Sequence, residues 1–307
     1  MPIDFLSTFF LPIFFLVPES QINTSLDRIK MKKLIVTFLI SLCMMGAVSA
    51  KTCGVVIEFP PGGAADRYAR LLQKYNPEFH IEYKVGASGA IAVAFAGENP
   101  EFIYFASPSA FGKSSSFKTN PPIDLYKILI GSSNIVVTGK QSIDINKLMT
   151  GTHSVGIGSY GIPQHVIAEQ LKNFNPNLTI VPMGGDTKAL PLLINGDLDV
   201  YITSAISGTT WIDQFKQIKP VMTVDFNKPF INGDLKVESV GFIGAFTHRN
   251  ATPAQRQKAI ECLEKAISQP GWTEELKSMN ANPVMVSGKH KDTILQQYLT
   301  LLRKFDL

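Results

Sequence analysis

Three glycine-bearing loops recur at one place in the pattern of this chain. "VVIEFPPGG" ends at Gly63, "VGIGSYG" ends at Gly161 and "VPMGGD" ends at Asp186. Each closes a short apolar run and opens an amphipathic one. Strands that feed helices through short loops, several times over, fold as parallel sheets wrapped by helices. The first unit reads strand "CGVVIEF", helix "AADRYARLLQKY", strand "HIEYKV", small-residue helix "ASGAIAVAFAG" and strand "EFIYFAS". In its first helix Ala65, Tyr68, Ala69, Leu72 and Tyr75 share a face, with Arg67, Arg70 and Lys74 elsewhere.

A second unit of the same kind follows. Its strands are "IVVTGK", "SVGIG", "LTIVPM" and "LDVYIT", and its helices "PQHVIAEQLKNF", with Pro163 in the first turn, and "TKALPLLINGD", ending at Gly196. The run "VGFIGAFT" is strand-like. "TPAQRQKAIECLEKAIS" is a helix with Thr252 as N-cap and Pro253 at its first position, and two more helical pieces close the chain.

The position of the glycine loops has a chemical meaning. Open parallel sheets bind ligands beyond the carboxyl ends of their strands. A loop there exposes backbone N–H groups at a helix start, which carries about half a positive charge, and glycine lets a ligand approach closely. "PPGGAAD" and "GSYGIP" are therefore suited to an anion. Asp66, in the first turn, either caps the helix or offsets its dipole.

Composition narrows the classes. The 307 residues are 45% hydrophobic and only 18% charged, with a net charge of +4. There is no block of like charges, so no nucleic-acid partner is expected. "MKKLIVTFLISLCMMGAVSA", Met31 to Ala50, has the basic start, short apolar core and small terminal residues of a secretory signal peptide. Its core is short against the ~20 residues that span a bilayer, and the alternative is a retained anchor. Residues 1–30 are read as a non-native upstream extension, with translation starting at Met31; the alternative is a second membrane segment. Residues 1–50 hold four of the 29 Lys and Arg and three of the 25 Asp and Glu, leaving 25 against 22 in the mature chain. Export to an oxidising compartment, the periplasm, leaves Cys53 and Cys262 as a disulfide or as two buried thiols. No metal-binding spacing occurs, and no metal or cofactor is expected.

Three chemistries compete for the loops. A Walker phosphate loop needs a terminal Lys-Ser/Thr that "PPGGAAD" lacks. "GIGSYG" matches G-x-G-x-x-G at Gly156, Gly158 and Gly161, with Asp186 downstream as a ribose acid, which leaves a dinucleotide-binding enzyme as the alternative. The third is a receptor that clamps a small carboxylate between two loops. No nucleophile elbow or selected triad is present, so no enzyme is expected.

The run Phe59-Pro60-Pro61-Gly62-Gly63, with Asp66, Ala69 and Arg70, resembles the P-G-G-x-x-D-x-x-A-R signature of Bug-type periplasmic receptors. These are the solute-binding subunits of tripartite tricarboxylate transporters. "KVGASGAIAVAFAG", "GIGSYGIPQHVIAEQL" with His165, "VPMGGDTKALPLLINGDLDVYI" and "VGFIGAFTHRNATPAQ" resemble further family segments in order, across essentially the whole mature chain. The chain departs from the pattern at Met183, where tyrosine is usual, at Val85 and Ser88, in "ENPEFIYF", which lacks D-G-Y, and in "GFIG", which lacks a tryptophan.

The resemblance implies a two-lobed α/β fold, the type II periplasmic-binding-protein fold, each lobe a mostly parallel sheet flanked by helices. Lobe one would take 51–133 plus 245–307 and lobe two 134–244, with hinges near 135–137 and 240–243. It implies a monomer that holds a small organic acid and delivers it to the membrane subunits of a transporter; an exported sensor without a transport role is the alternative. Loop N–H groups from both lobes would hold the ligand carboxylate: Gly62, Gly63, Ala64 and Ala65 from lobe one, Ser159, Tyr160, Gly161 and Ile162 from lobe two. Ser107, Gly185 and Thr203 would line the rest. His165 either donates to a second carboxylate or braces its helix start, and Tyr160 either covers the ligand or caps the cleft. Arg70 pairs across the lobe or stays solvated, Ser107 and Ser109 are N-caps or ligand contacts, and Trp211 and Trp272 pack.

Overall fold

The first apolar run, Cys53–Ile57, is buried along its whole length. Such a strand is covered on both faces, as parallel strands are. It is β1 of a computed structural model that describes residues 53–118 and 120–307. The signal-peptide reading and the upstream extension lie outside the described residues.

In chain order, the elements after β1 are α1 (Ala64–Tyr75), β2 (Phe79–Tyr83), α2 (Ala90–Glu98), β3 (Phe102–Ala106), β4 (Ile123–Gly131) and β5 (Asn134–Thr138). Next come α3 (Ile145–Thr150), β6 (His153–Ile157), α4 (Pro163–Phe174), β7 (Leu178–Pro182), α5 (Asp186–Asn195), β8 (Val200–Ser204), α6 (Ala205–Gln214) and β9 (Lys219–Val224). A small hairpin, β10 (Phe230–Asn232) and β11 (Leu235–Val237), precedes β12 (Phe242–His248), α7 (Pro253–Ile267), α8 (Trp272–Ser278), β13 (Asn282–Val286) and α9 (Gly288–Lys304).

The strands form two main sheets, one of order β13-β4-β12-β3-β1-β2 and one of order β7-β6-β8-β5-β9. In the first, β2, β1 and β3 are parallel, while β12 runs antiparallel between β3 and β4. In the second, β7, β6 and β8 are parallel and β5 is antiparallel to both neighbours. Each sheet thus has one direction for most of its strands and an antiparallel insertion. The units β1-α1-β2-α2-β3 and β6-α4-β7-α5-β8 repeat one plan, with the first strand central in both.

The chain passes from the first sheet to the second at Ser132–Ser133 and returns ahead of Phe242. The two crossings lie side by side, since Ser132 N–H donates to Gly241 O at 2.8 Å. Asn134 Nδ2 donates to Ser132 O and to Ser239 Oγ. Of the segments read as hinges, 135–137 and 240–243, the first lies inside β5; in the second, residues 240–241 belong to the crossing and 242–243 open β12. Phe242 to Gly244 pair with β4 in the first sheet and not with the middle of the chain.

The sequence pattern passes over β4, β9, the β10–β11 hairpin, α6 and β13. Cys53 and Cys262 form a disulfide, Cα–Cα 5.8 Å, that ties β1 to α7. Both residues belong to a core with Leu72, Phe105, Leu263 and Trp272. Trp211 packs in the second half, stacked on Tyr201 at 5.7 Å.

Candidate functional site

The carboxyl ends of the two sheets face one another across a cavity of about 70 Å³. From the first half it is lined by Phe59, Pro60, Gly63, Ala64, Ala65, Tyr68 and Ser107. From the second it is lined by Gly158, Ile162, Pro163, Gln164, Gly185, Asp186, Tyr201 and Ser204. Ile130, Ser132 and Ile243 close its back near the crossings. The starts of four helices, α1, α4, α5 and α6, meet there. Helix starts leave their first N–H groups without intrahelical partners and carry partial positive charge. Among the lining residues Asp186 is the one charged side chain, and there is no Lys, Arg or His.

The first loop is built around Gly62, whose φ of +94° turns the chain from β1 into α1. Its N–H donates to Asp66 Oδ2 at 2.9 Å. Arg70 Nε donates to the same oxygen and Tyr83 OH to Oδ1 at 2.6 Å. Partial burial pushes the Asp66 carboxyl up, but these three donors outweigh it and hold it below the usual carboxylate range. Arg70 therefore pairs within its own helix. Gly62 gives its amide to the protein, and Gly63, Ala64 and Ala65 after it line the cavity.

Behind this loop lies Glu58, only 4% exposed. It accepts hydrogen bonds from Tyr104 OH at 2.9 Å, from Ser107 Oγ at 3.3 Å and from Ser109 Oγ. Burial dominates the three hydroxyls and raises its pKa to about 7. Ser107 thus stands between Glu58 and the cavity. Its neighbour Ser109 faces Glu58 rather than the cavity.

The second loop repeats the device. Gly161 has φ +73°, and its N–H donates to His165 Nδ1 at 3.1 Å. His165 is buried, its Nε2 is 3.4 Å from Glu169, and burial lowers its pKa to about 4. With Nδ1 accepting from an amide, His165 braces the helix start as a neutral imidazole. Gly161 O accepts from Tyr298 OH at 2.5 Å, an anchor supplied by α9 on the first sheet. Tyr160 packs against His165, ring centres 5.0 Å apart, and is 40% exposed. Ser159 Oγ lies 3.5 Å from Ser88 Oγ, across from the first half.

In the second half Asp186 opens α5. Its Oδ1 accepts from Tyr201 OH at 3.1 Å and Thr203 Oγ1 at 2.9 Å, and its Oδ2 from Ser207 Oγ at 2.6 Å. A Cβ placed on Gly63 would lie 3.5 Å from that Oδ2, so the carboxylate directly faces the start of α1. Ser204, the N-cap of α6, is 9% exposed, and its Oγ has no partner in the structure. Arg67 Nη1 donates to Thr210 Oγ1 at 2.7 Å, joining α1 to α6.

Of the residues read from the sequence, Gly63, Ala64, Ala65, Ser107, Ile162 and Gly185 come together on the cavity wall. Gly62, Gly161, His165 and Thr203 shape the groups that line it. Ser159 and Tyr160 lie on the same loop outside the lining. Sequence reasoning passed over Glu58, Tyr68, Gln164 and Ser204, and weighed Asp186 only as a ribose acid. An acid directly after "VVI" was the available signal for Glu58. Ser204 had none once α6 was unread. Among the described residues no cluster of His, Cys, Asp and Glu is placed to hold a metal, and no helix is long and apolar enough to cross a membrane.

Two α/β lobes, joined by adjacent crossings and facing each other over a cavity, make up the type II periplasmic-binding-protein fold. Solved structures of that fold superpose on this chain along most of their length. Rpa4515 of R. palustris with adipate matches at TM-score 0.72 and 17% identity, over 83% of this chain and 95% of that one. The periplasmic binding protein BugD matches at 0.67 and 15%, over 83% and 97%. MatC from Rhodopseudomonas palustris with bound malate matches at 0.65 and 17%, over 83% and 97%. A TctC solute-binding protein from Polaromonas is a further neighbour. No protein-family model and no curated protein matches the sequence.

Proposed function

We propose that this protein is an extracytoplasmic solute-binding receptor of the Bug type, exported by the segment 31–50, which clamps a small organic carboxylate between its lobes. Its role is then to deliver the ligand to the membrane subunits of a tripartite tricarboxylate-type transporter. The observation that carries this reading is the convergence of four helix starts on one cavity without a cationic side chain. An acid held there is held by main-chain amides. The N–H groups of Gly63, Ala64 and Ala65 are the chief donors, with Ser107, Ile162 and Gly185 completing the set. Gly62, Gly161, His165 and Thr203 position these groups, and Ser159 and Tyr160 edge the cleft. The neighbours solved with adipate and malate support a carboxylate ligand.

Hydrogen bonds to a charged acceptor contribute roughly 1.5–3 kcal/mol each. Three or four, net of docking costs, suffice for micromolar binding, about −8 kcal/mol. A cavity of about 70 Å³ is half the ~150 Å³ that admits benzene, so even a four-carbon acid enters only as the lobes part. Domain motion about the Ser132–Ser133 and 238–241 crossings is then part of binding, and the closed form is the signal a partner reads.

The test is a melting screen of organic acids on the purified protein, beside mass spectrometry of any molecule retained through purification. A ligand at 100 times its Kd stabilises by about 2.7 kcal/mol, a clear rise in Tm, with the acid recovered unchanged. Turnover of the acid, or a screen in which NAD stabilises and no acid does, sinks the receptor reading. Co-purification of membrane subunits separates transport from sensing.

A further inference from the structure

We propose that Glu58 makes solute capture proton-coupled: the protein takes up one proton at Glu58 as an anion enters the cavity, and that proton frees the Ser107 hydroxyl to donate to the solute. This rests on the receptor reading above and adds a regulation of the same site. The argument begins with placement. Glu58 directly precedes Phe59 and Pro60, which line the cavity. It is not itself in the lining, but Ser107, which is, donates to it. The two carboxylate oxygens differ. Oε2 accepts from Tyr104 OH and Ser109 Oγ, whereas Oε1 accepts from Ser107 Oγ alone. Each oxygen has about two lone-pair sites, so the unused one is on Oε1. A proton taken there has Ser107 Oγ as its acceptor.

A serine hydroxyl has one hydrogen. With Glu58 ionised, Ser107 commits that hydrogen to Oε1 and keeps only lone pairs for the cavity. With a proton on Oε1, Glu58 donates to Ser107 Oγ, and the serine hydrogen is released to the solute carboxylate. The same proton removes a buried negative charge that repels an anion. It comes from solvent, and no other bond changes. Glu58 is thereby a positioning residue that acts through Ser107.

The groups around Glu58 leave it as the one that titrates. β3 brings Tyr104 and α9 brings Tyr298; burial holds both phenols well above their ordinary range, and the Glu58 charge pushes them further up. On β2, Glu82 pairs with Lys84, which also lies over the Phe95 ring. Asp66, in the first turn of α1, pairs with Arg70, and α2 carries its one ionisable residue, Glu98, at its last position. The turns at 87–89 and Pro108–Phe111 bring none. Burial raises the Glu58 pKa to about 7, and a bound anion pushes it in the same direction.

The probes are L-malate and adipate, or the acid that raises Tm most in the screen above. Each is titrated by calorimetry from about pH 6.5 to 9, where ordinary carboxylic acids are ionised, in two buffers of different ionisation enthalpy. The expected result is uptake of a fraction of a proton per bound acid. The Kd should weaken as pH rises above about 7, by up to roughly tenfold per unit. E58Q, whose amide can donate to Ser107 at every pH, should bind without uptake and with a flat profile. S107A should bind several-fold more weakly and with a shallower slope. Binding without uptake or pH dependence in the wild type overturns the inference and leaves the receptor reading standing. An uptake that E58Q retains does the same, since it moves the proton to another group such as Asp186. If no organic acid binds, both fall. Should E58Q fail to fold, the wild-type series and S107A decide, and S107A with the full wild-type uptake overturns the inference. A Glu58 that merely braces its loop would leave the binding enthalpy equal in the two buffers.

Discussion

In the loop after β1, Gly62 turns at φ +94° and gives its amide to a side chain four residues on, the carboxylate of Asp66. In the loop after β6, Gly161 turns at φ +73° and does the same to the imidazole of His165. One geometry is thus closed by an anion in one lobe and by a neutral ring in the other. The anion is affordable because Arg70 and Tyr83 share it; the ring, although its Nε2 lies 3.4 Å from Glu169, is kept uncharged by burial. The helices that follow differ as well. α1 opens with the amides of Ala64 and Ala65, whereas α4 opens with Pro163, which has no N–H. α4 therefore lacks the first amide that α1 has, and the second lobe adds the carboxylate of Asp186 to the wall. The lesson is that a duplicated βαβ plan fixes where a site lies and leaves its polarity to a few loop residues.

The largest way to separate the lobes is chemical reduction. The Cys53–Cys262 disulfide lies wholly in the first lobe and closes a loop across 209 residues that contains the entire second lobe. Loop-closure entropy makes such a link worth about 5 kcal/mol. Reduction is expected to lower denaturation stability by that order and to raise amide exchange first in β1 and α7. Equal loss of protection in β6 to β8 would mean that the lobes unfold as one unit.

The buried titratable groups give a sharper contrast, because their pH dependences have opposite signs. Glu58 has its folded pKa raised from 4.5 to about 7. Between those values the native state binds more protons than the unfolded one, so stability falls as pH rises, by about 3 kcal/mol in all. His165 has its folded pKa lowered from 6.5 to about 4. Between those values the unfolded state binds more protons, so stability rises with pH, by about 3 kcal/mol. The two offset one another from about pH 4.5 to 6.5. Urea titrations should find the wild type nearly flat there. E58Q should gain stability with rising pH over that range, and H165N, whose Oδ1 can still accept from Gly161, should lose it. Parallel curves for the two variants would refute the opposed assignment.

How much of this was legible follows from the same residues. The repeated strand–loop–helix order is written in apolar spacing, and it gave the two α/β units and the end of the sheets where the cavity lies. Gly62, Gly63 and Gly161 were readable because glycine before an amphipathic helix has a direct meaning. The partners of those amides were not, since a donor's choice between ligand and side chain depends on rotamers that spacing does not encode. β4 and β13 were passed over because their neighbours in the sheet are distant in sequence. Glu58 was hidden by its own context: a single acid ending an apolar strand looks like a solvated edge until Tyr104, Ser107 and Ser109 are seen to close over it.

The smallest expected effect tests the two turns directly. Alanine at either glycine must take a positive φ, at a cost of about 1 kcal/mol. The surroundings then differ. A Cβ at Gly62 would stand 3.1 Å from Thr187 Cγ2, the end of a side chain that can rotate. A Cβ at Gly161 would stand 3.0 Å from the carbonyl oxygen of Ser109 and 3.3 Å from Gly112 Cα, and the same turn is pinned by Tyr298. Backbone cannot give way as a methyl can. G161A should therefore lose about 1 kcal/mol more than G62A in thermal denaturation, and it should also weaken ligand binding, since its strain falls on the contact between the lobes. Equal costs would mean that the second loop is free to shift on the first lobe, which would remove the fixed wall on which the cavity between them depends.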